Sequence, residues 1–572
     1  MAAHSTAHYF LEGLNDIGLD YLFCNLGTDH APLIEEMARW RRDGLKCPEV
    51  LLCPHENVAI HMAGGYAAMS GRGQGVLVHV DAGTANAAMG MHNLFRSRTP
   101  VLLMAGKAPF SIHGELPGTR DNYVHFVQEP YDQASVVRPY VKWEYNLPSG
   151  VVAKEALRRA HSMMMSDPQG PTYMTLPREV LAAPWEEAQI KSYPAAQYGP
   201  AKARGVDPGF IEALADKFMA AQSPLIITAY AGRNAAAPAL LDELARLTAT
   251  RVVEFNPLYL CIPHDSPCFA GHMSSPHVEA ADFGLLLDVD VPWIPKYTQP
   301  RERSFWAQVD VDVIKRDIPM WGFAADLRAE ADSTCVLAQL IDAVKRKADA
   351  AFAARVKARM GALVDEAATR SLQIAHAATD KGKPGAINPQ YLCAEINRLM
   401  APDDILINEA IRNTFVVFNQ ISRTRAGTSI GLAGGGLGFS GGVALGAKLA
   451  KPNSQVVQFV GDGGFYFSTP ASVLAVSRQY KLPVFTVVLD NNGWSAVKEA
   501  TLRMYPEGAA KAQDQFAAHL APDMNFAKLA EAAGAYGEVL SDPEQTAEAV
   551  ARCMAEVKGG RSAVLHAKIT RL

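Results

Sequence analysis

The sequence predicts an α/β protein made of three doubly wound parallel-sheet domains in series. Short continuous apolar runs alternate with helix-patterned segments along most of the chain, as in parallel sheets covered on both faces. The alternation breaks twice, in a Pro- and Ala-rich passage at 184–204 and in KGKPGAINP at 381–389. The length, 572 residues, corresponds to three or four domains of about 150 residues each.

Each element has its own signal. In the first domain, 1–190, strands are expected at Tyr21–Asn25, Gly75–Val80, Pro100–Ala105 and Thr172–Leu176, with helices over His30–Arg42 and from about Thr84. In the middle domain, 205–345, Pro224–Ala229, Arg251–Phe255, Phe283–Asp288 and Ser304–Asp310 read as short buried strands, with a helix over Ala237–Leu247. Residues 346–380 are rich in Ala, Arg, Lys and Glu at helical spacing. In the third domain, 385–572, strands are expected at Ile405–Asn408, Gln455–Val460, Val484–Leu489 and Ala563–Ile569. No short tandem repeat of the solenoid kind occurs.

Composition narrows the function classes. Lys+Arg is 54 against Asp+Glu 59, a net charge of −5 without a basic cluster, which argues against a nucleic-acid partner. The 49% hydrophobic content is that of a packed globule, which argues against disorder. Apolar stretches such as Val101–Ala105 and Gly284–Leu287 fall far short of the roughly 20 residues of a spanning helix. The opening MAAHSTAHYFLEGLND lacks a basic region followed by an apolar core. Eight cysteines without a CxxC read as small buried residues kept reduced. No membrane partner and a cytoplasmic location are therefore expected.

Two motifs tempt and fail. Gly436-Leu-Gly438-Phe-Ser-Gly441 matches GxGxxG with Asp462 at 21 residues beyond, the dinucleotide spacing. Yet no clear strand precedes it, and Asp462 lies within Gly461-Asp462-Gly463-Gly464. A dinucleotide-binding oxidoreductase thus remains a remote alternative. His55-Glu56…His61 has its histidines six apart, where a zinc protease helix needs four.

The stronger signal is strand–GDGG–helix–strand–NNG. Parallel neighbouring strands bring their carboxyl ends to one edge, so Asp462 and Asn491 would meet there. A carboxylate, an amide oxygen and a backbone carbonyl form half of an oxygen shell for Mg²⁺, completed if a diphosphate supplies the rest. The glycines after Asp462 let backbone N–H groups approach the anion.

GDGG followed by NNG at this separation resembles the metal–diphosphate signature of thiamine diphosphate enzymes. Pro54-His55-Glu56-Asn57-Val58-Ala59 with Gly64-Gly65-Tyr66-Ala67 resembles that family's helix carrying the cofactor-activating glutamate, and Gly83-Thr84-Ala85-Asn86 resembles its G-x-x-N turn. Gly436-Leu437-Gly438 resembles the loop that grips the aminopyrimidine, which explains the false dinucleotide match. The domain order is then pyrimidine-binding, middle and diphosphate-binding, as in the acetolactate synthase, oxalyl-CoA decarboxylase and 2-hydroxyacyl-CoA lyase branch.

The resemblance implies roles residue by residue. Glu56 hydrogen-bonds N1′ of the aminopyrimidine, Gly438 offers its carbonyl to the N4′ amino group, and Gly27, Asn86, Gly436 and Ser440 complete that end. Gly461, Asp462, Gly463, Gly464, Asn491 and Gly493 hold the diphosphate end, with Asp462, Asn491 and the Gly493 carbonyl on Mg²⁺ and Asn492 as the alternative ligand. The wedge that bends the cofactor falls on Ser440 instead of a bulky apolar residue, with Phe439 and Leu437 beside it. Because two domains grip opposite ends of one cofactor, the family builds each site between subunits. That implies a homodimer at minimum and a homotetramer in the fuller form.

For the substrate, Phe126-Val-Gln128-Glu129 resembles the acetolactate synthase segment whose glutamine faces the substrate; His113 and His125 lie in the same loop. The run after NN, through Glu499 to YPEGAAKAQDQF, looks more like the 2-hydroxyacyl-CoA lyase relatives, with Glu499 a candidate acid or base. An acyl-CoA would need cationic grips, for which Arg158, Arg159 and Arg233 are candidates, and the middle domain could hold an ADP or CoA moiety or FAD. A thiamine diphosphate- and Mg-dependent lyase or carboligase acting on a 2-hydroxyacyl-CoA is thus expected, with an acetolactate synthase-like 2-oxo acid decarboxylase/carboligase as the alternative.

Overall fold

Three apolar-strand clusters form three separate sheets, every one parallel. The computed structural model describes residues 3–521 and 524–570. In the first sheet the strands are β1 (Tyr21–Asn25), β2 (Glu49–Leu52), β3 (Gln74–Val78), β4 (Val101–Lys107), β5 (Glu144–Asn146) and β6 (Thr172–Pro177), in the order β2-β1-β3-β4-β6-β5. The middle sheet holds β7 (Pro224–Thr228), β8 (Arg251–Glu254), β9 (Phe283–Leu287), β10 (Phe305–Asp310) and β11 (Leu327–Glu330), ordered β8-β7-β9-β10-β11. The third holds β12 (Ile405–Glu409), β13 (Ser429–Ile430), β14 (Val456–Gly461), β15 (Phe485–Asp490), β16 (Tyr536–Leu540) and β17 (Ala563–Lys568), ordered β13-β12-β14-β15-β17-β16. The first and third sheets therefore share one winding order. The expected class, three doubly wound parallel-sheet domains, is what the chain forms.

The interior strands β3, β7, β9 and β15 are buried at every position. This is why they read as unbroken apolar runs and not as alternation. Six helices matter for the sites described below: α1 (Glu56–Ser70), α2 (Val80–Arg96), α3 (Ala350–Ala377), α4 (Pro389–Leu399), α5 (Thr414–Gln420) and α6 (Ser440–Ala450). The helix expected from about Thr84 begins instead at Val80, so Gly83–Asn86 lies within a helix and is not a turn.

The chain divides into two compact units whose bounds differ from the domain bounds read from sequence. One comprises 1–202, 433–453 and 465–484, and the other 203–432, 454–464 and 485–572. The Gly436–Gly438 loop and α6 thus belong with the first sheet. The physical cause is a glycine seam: a Cβ on Gly65 would lie 2.3 Å from the Val443 carbonyl oxygen, and one on Gly446 would lie 2.1 Å from that of Met62. Without side chains at these positions, α1 and α6 approach backbone to backbone. No helix among the described residues is long and apolar enough to cross a membrane. All eight cysteines are free.

Candidate active site

In the first unit, the strands of the first sheet end in a row of polar residues. Glu56 follows β2 in the first turn of α1, whose N-cap is His55, with Nδ1 accepting from the Asn57 N–H at 3.0 Å. The Glu56 carboxylate is 7% exposed and accepts from Asn86 Nδ2 at 3.0 Å, which joins two residues 30 positions apart. On α2, Asn93 clamps Gly436 at both backbone atoms: its Nδ2 donates to the carbonyl at 2.9 Å, and its Oδ1 accepts from the N–H at 3.1 Å. His92 Nε2 contacts the Gly434 carbonyl at 2.6 Å. Gly438 has φ +88°, a left-handed conformation, and a Cβ there would lie 2.3 Å from the Phe467 backbone. Ser440 is fully buried at the start of α6, whereas Leu437 keeps partial exposure.

The Gly438 carbonyl accepts from Asn57 Nδ2 at 3.3 Å, while Asn57 Oδ1 is buried with no hydrogen-bond partner. A buried acceptor without a donor carries a desolvation cost. An aminopyrimidine amino group is a donor of the right kind, so these residues fit that end of the cofactor.

A cluster that the sequence reading did not find lies on the same sheet edge. Asp29 follows β1 and His79 follows β3, the neighbouring strand; His79 Nδ1 bonds Asp29 Oδ1, and His30 Nε2 lies 3.3 Å from Asp29 Oδ2. Burial alone would raise the Asp29 carboxyl, but the His79 hydrogen bond and the nearby His30 hold it below its ordinary value. The Asp29 hydrogen bond in turn raises His79, which also bonds the side chain of Gln128. Burial lowers His30. Gly27 packs here too, since a Cβ would fall 1.9 Å from His79 Nδ1. The signal that could have found the cluster is the one used for Asp462: titratable residues just beyond the carboxyl ends of adjacent parallel strands.

Gln128 is therefore brought to this edge. His125 is buried and contacts Thr28 Oγ1 at 3.3 Å and Asp121 at 3.3 Å, with burial lowering its pKa. His113 is exposed.

In the second unit, β14 and β15 are adjacent and end at Gly461 and Asp490. Asp462 is 4% exposed and bonds the backbone at Gly463 and Gly493. Burial first, then the neighbouring Asp490 carboxylate, raises its pKa to about 7. Asp490 behaves oppositely: burial would raise it, but His566 Nε2 at 2.7 Å and Lys568 Nζ at 2.5 Å hold it well below the carboxylate range. Asn491 is buried; its Oδ1 accepts from the Gly493 N–H at 3.1 Å and its Nδ2 bonds Ser495 Oγ. Asn492 has φ +65°. Gly463 admits the Trp494 ring, 2.2 Å from where a Cβ would stand, and Gly464 approaches Glu409. Two carboxylates sharing a buried strand-end carry a repulsion that a divalent cation would relieve, so this donor set fits Mg²⁺. Next to it, a cavity of about 450 Å³ is lined by Asn491, Ser495, Arg412, Lys498 and Glu499. Glu499 is paired with Arg412. The segment after α-helical Ser495–Met504 returns along this loop: Trp494 N–H donates to the Ala518 carbonyl at 2.7 Å.

Arg158 is buried in ion pairs with Asp16 at 2.9 Å and Glu155 at 2.8 Å; Arg159 is exposed. Arg233 lies 3.8 Å from Asp332. The carboxyl edge of the middle sheet carries Asp288, Asp290, Asp310 and Asp312, with Lys315 buried between Asp310 at 2.5 Å and Asp290 at 2.7 Å. Carboxylates at that edge would oppose a phosphate placed beside them. Glu254, His264 and His272 also cluster. Both Glu254 oxygens are engaged, by the N–H groups of Cys261 and Ile262 and by His264 Nε2 at 2.9 Å, which makes the group a hydrogen-bonded core network.

Comparison with known proteins agrees with both halves. The family model "Thiamine pyrophosphate enzyme, N-terminal TPP binding domain" matches residues 4–136, and its C-terminal counterpart matches 414–567. Benzoylformate decarboxylase of Pseudomonas aeruginosa is 24% identical over 506 residues, covering 86% of this chain and 87% of that protein. The acetolactate synthase large subunit of Lactococcus lactis is 23% identical, covering 95% and 89%. Glyoxylate carboligase of Escherichia coli O157:H7 is 24% identical, covering 77% and 72%. The solved structure of a thiamine diphosphate-dependent 4-hydroxybenzoylformate decarboxylase of Rhodococcus jostii shares the fold, with a TM-score of 0.78 at 20% identity, covering 100% of this chain and 99% of that one. The chain belongs to the thiamine diphosphate-dependent enzymes, among relatives that are decarboxylases and carboligases.

Proposed function

We propose that the protein is a Mg²⁺-dependent 2-oxo acid decarboxylase/carboligase. The observation that carries this reading is the His79–Asp29 pair with Gln128 on the same sheet edge as Glu56. Thiamine diphosphate, when bound, supplies a carbanion-type carbon that adds to a carbonyl. The chain's residues then supply orientation and protons. Glu56, fixed by Asn86, presents its carboxylate to the aminopyrimidine N1′. Asn57 Oδ1 and the Gly438 carbonyl receive the amino group. Asp462, Asn491 and the Gly493 carbonyl would hold the metal and, through it, the diphosphate. The Asp29 hydrogen bond raises the His79 pKa and so favours the protonated ring, and Gln128 bonds the same side chain. A proton held there suits a site where carboxylate is lost and the product carbon must be protonated.

The relatives' names, benzoylformate decarboxylase and acetolactate synthase, support a 2-oxo acid substrate. The 2-hydroxyacyl-CoA lyase reading has one favourable observation, the 518–520 segment laid along the Asn492–Trp494 loop. Of the cationic grips it would need, Arg158 is taken up by Asp16 and Glu155, and Arg233 lies near Asp332. A homodimer is the proposed minimum assembly, with the homotetramer distinguished by light scattering.

The test is product analysis with thiamine diphosphate and Mg²⁺ present. Benzoylformate and pyruvate are offered singly, and formyl-CoA is offered with an aldehyde. Release of CO₂ with an aldehyde or acyloin product is expected; a 2-hydroxyacyl-CoA as the sole product would overturn the assignment. Glu56→Gln should fold normally and lose nearly all turnover.

A further inference from the structure

A second cavity, of about 470 Å³, opens in the second unit where α3, α4 and α5 converge. Its walls are tied together by Gln420, whose Nε2 donates to the Ile374 carbonyl and to Gln390 Oε1, both at 2.9 Å. Arg370 stands at this cavity with its guanidinium carbon 5.2 Å from the centroid of the Phe269 ring. The nearest acid along its helix, Glu366, is engaged by Arg251 through Nε at 2.9 Å and Nη2 at 2.5 Å. Arg370 itself has no ion pair among the described residues, although burial takes it partly out of water and lowers its pKa. Glu366 acts on Arg370 only at a distance, and a partly desolvated guanidinium over an aromatic ring with no ion pair of its own is a poised partner for a carboxylate.

The remaining walls define the rest of the ligand. Asn397 and Asn419 line the same cavity, and neither side chain hydrogen-bonds the described protein. Phe269 and Phe418 add aromatic lining, and Phe269 is held rigid by stacking on His264 at 4.4 Å with planes 12° apart. Glu395 is the one carboxylate in the lining, and Arg398 holds it at 2.8 Å, so Arg370 sets the sign of the local charge. The volume falls within the range of small-molecule pockets, about 300–1,000 Å³, and mixed aromatic and convergent polar lining is their usual composition.

We propose that this cavity binds a small aromatic carboxylate, with its carboxylate on Arg370, its remaining oxygen lone pairs on the Asn397 and Asn419 amides, and its ring against the apolar part of the lining that includes Phe269, Ile374 and Phe418. The binding is separate from the reaction proposed above, and none of these residues belongs to either half of the active site.

Isothermal titration of the full chain, saturated with thiamine diphosphate and Mg²⁺, with benzoate as probe tests this. One benzoate per chain is expected at this site. Arg370→Ala should weaken it by about tenfold or more, as loss of a charge-assisted paired contact implies, and Arg370→Lys should recover only part of the loss. Because Arg370→Ala also removes the stack on Phe269, Asn419→Asp is the second variant: it adds a negative charge to the same wall and should weaken benzoate comparably. Benzamide, which lacks the charge, and inorganic phosphate, which lacks the ring, should each bind more weakly. Benzoate binding that is unchanged in both variants, and competed away by a 2-oxo acid, would place the ligand in the active site and overturn the proposal. No benzoate binding to the unaltered chain would also overturn it, as would phosphate binding as tightly as benzoate.

Discussion

Gly65→Ala should unlock the seam between α1 and α6, whereas Gly64→Ala, one residue earlier, should not. A methyl group on Gly65 would stand 2.3 Å from the Val443 carbonyl oxygen, 2.8 Å from its Cα and 2.9 Å from its carbonyl carbon. All three are backbone atoms of α6, so no side-chain rotation relieves the clash and the helices must separate by about 1 Å, at the upper end of the roughly 1–3 kcal/mol that overpacking costs. The better helix propensity of alanine returns about 1 kcal/mol, leaving a net loss of about 2 kcal/mol. A Cβ on Gly64 meets only Leu94 Cδ2 at 2.5 Å, with its next contact at 3.8 Å. Leu94 can change rotamer, so the propensity gain roughly cancels the cost. For a cooperative unit of this size, about 2–4 °C of melting temperature corresponds to each kcal/mol, so Gly65→Ala should melt about 4–8 °C lower and Gly64→Ala should hardly move. Because α6 begins just after Gly438, Gly65→Ala should also weaken thiamine diphosphate binding in calorimetry. Equal melting temperatures for the two variants would refute the backbone-contact reasoning.

Three further outcomes are expected. Burial lowers His61 and His272 to about 4, with Glu254 and His264 facing the latter. Their unfolded values are near 6.5, so both contribute stability that is present above pH 6.5 and lost as pH falls toward 4. His61→Gln should flatten the His61 part of that loss in urea unfolding followed against pH. Asp462 lies on the other side of the sign: its folded pKa, about 7, is above its ordinary 3.8, so in the metal-free chain its contribution is present at acid pH and lost as pH rises through about 7. Asp462→Asn should therefore raise the metal-free melting temperature at pH 8 while abolishing the stabilisation given by Mg²⁺ with thiamine diphosphate. Asn93→Ala removes both hydrogen bonds that clamp Gly436; cofactor affinity should fall by about tenfold in calorimetry, and an unchanged affinity would contradict the clamp.

The strands legible in the sequence are the interior ones together with one edge strand, Arg251–Glu254, which is buried at three of its four positions and so also reads as apolar. Every interior strand, such as Phe283–Leu287 or Phe485–Asp490, was located within one or two residues. Glu49–Leu52, Glu144–Asn146, Leu327–Glu330, Ser429–Ile430 and Tyr536–Leu540 were not anticipated, and all five are sheet edges. An edge strand is covered on fewer sides and can carry charge, as Glu144, Arg328 and Glu538 do. Its pattern then merges with that of loops.

The site divides along the same line. Glu56, Asp462, Asn491 and the GDGG and NNG motifs stand out in the sequence because each lies within one short segment whose residue order carries the chemistry, although Asp462–Gly464 opens the helix Asp462–Phe467 directly after its strand and makes no separate turn. The Asp29–His79–Gln128 cluster was not, since its members come from three separate segments that only the β2-β1-β3-β4 winding brings to one edge. The same holds for the ion pairs that occupy Arg158 and for the glycine seam that places the Gly436–Gly438 loop with the first sheet. The sequence by itself therefore determined the class, the parallel sheets and the cofactor family, because apolar run lengths and strand-end motifs are local. The tertiary structure decided which charges are paired, which side chains hold protons at the sheet edge and which cavity keeps an unpaired guanidinium, because pairing depends on distances across the fold that residue order does not encode.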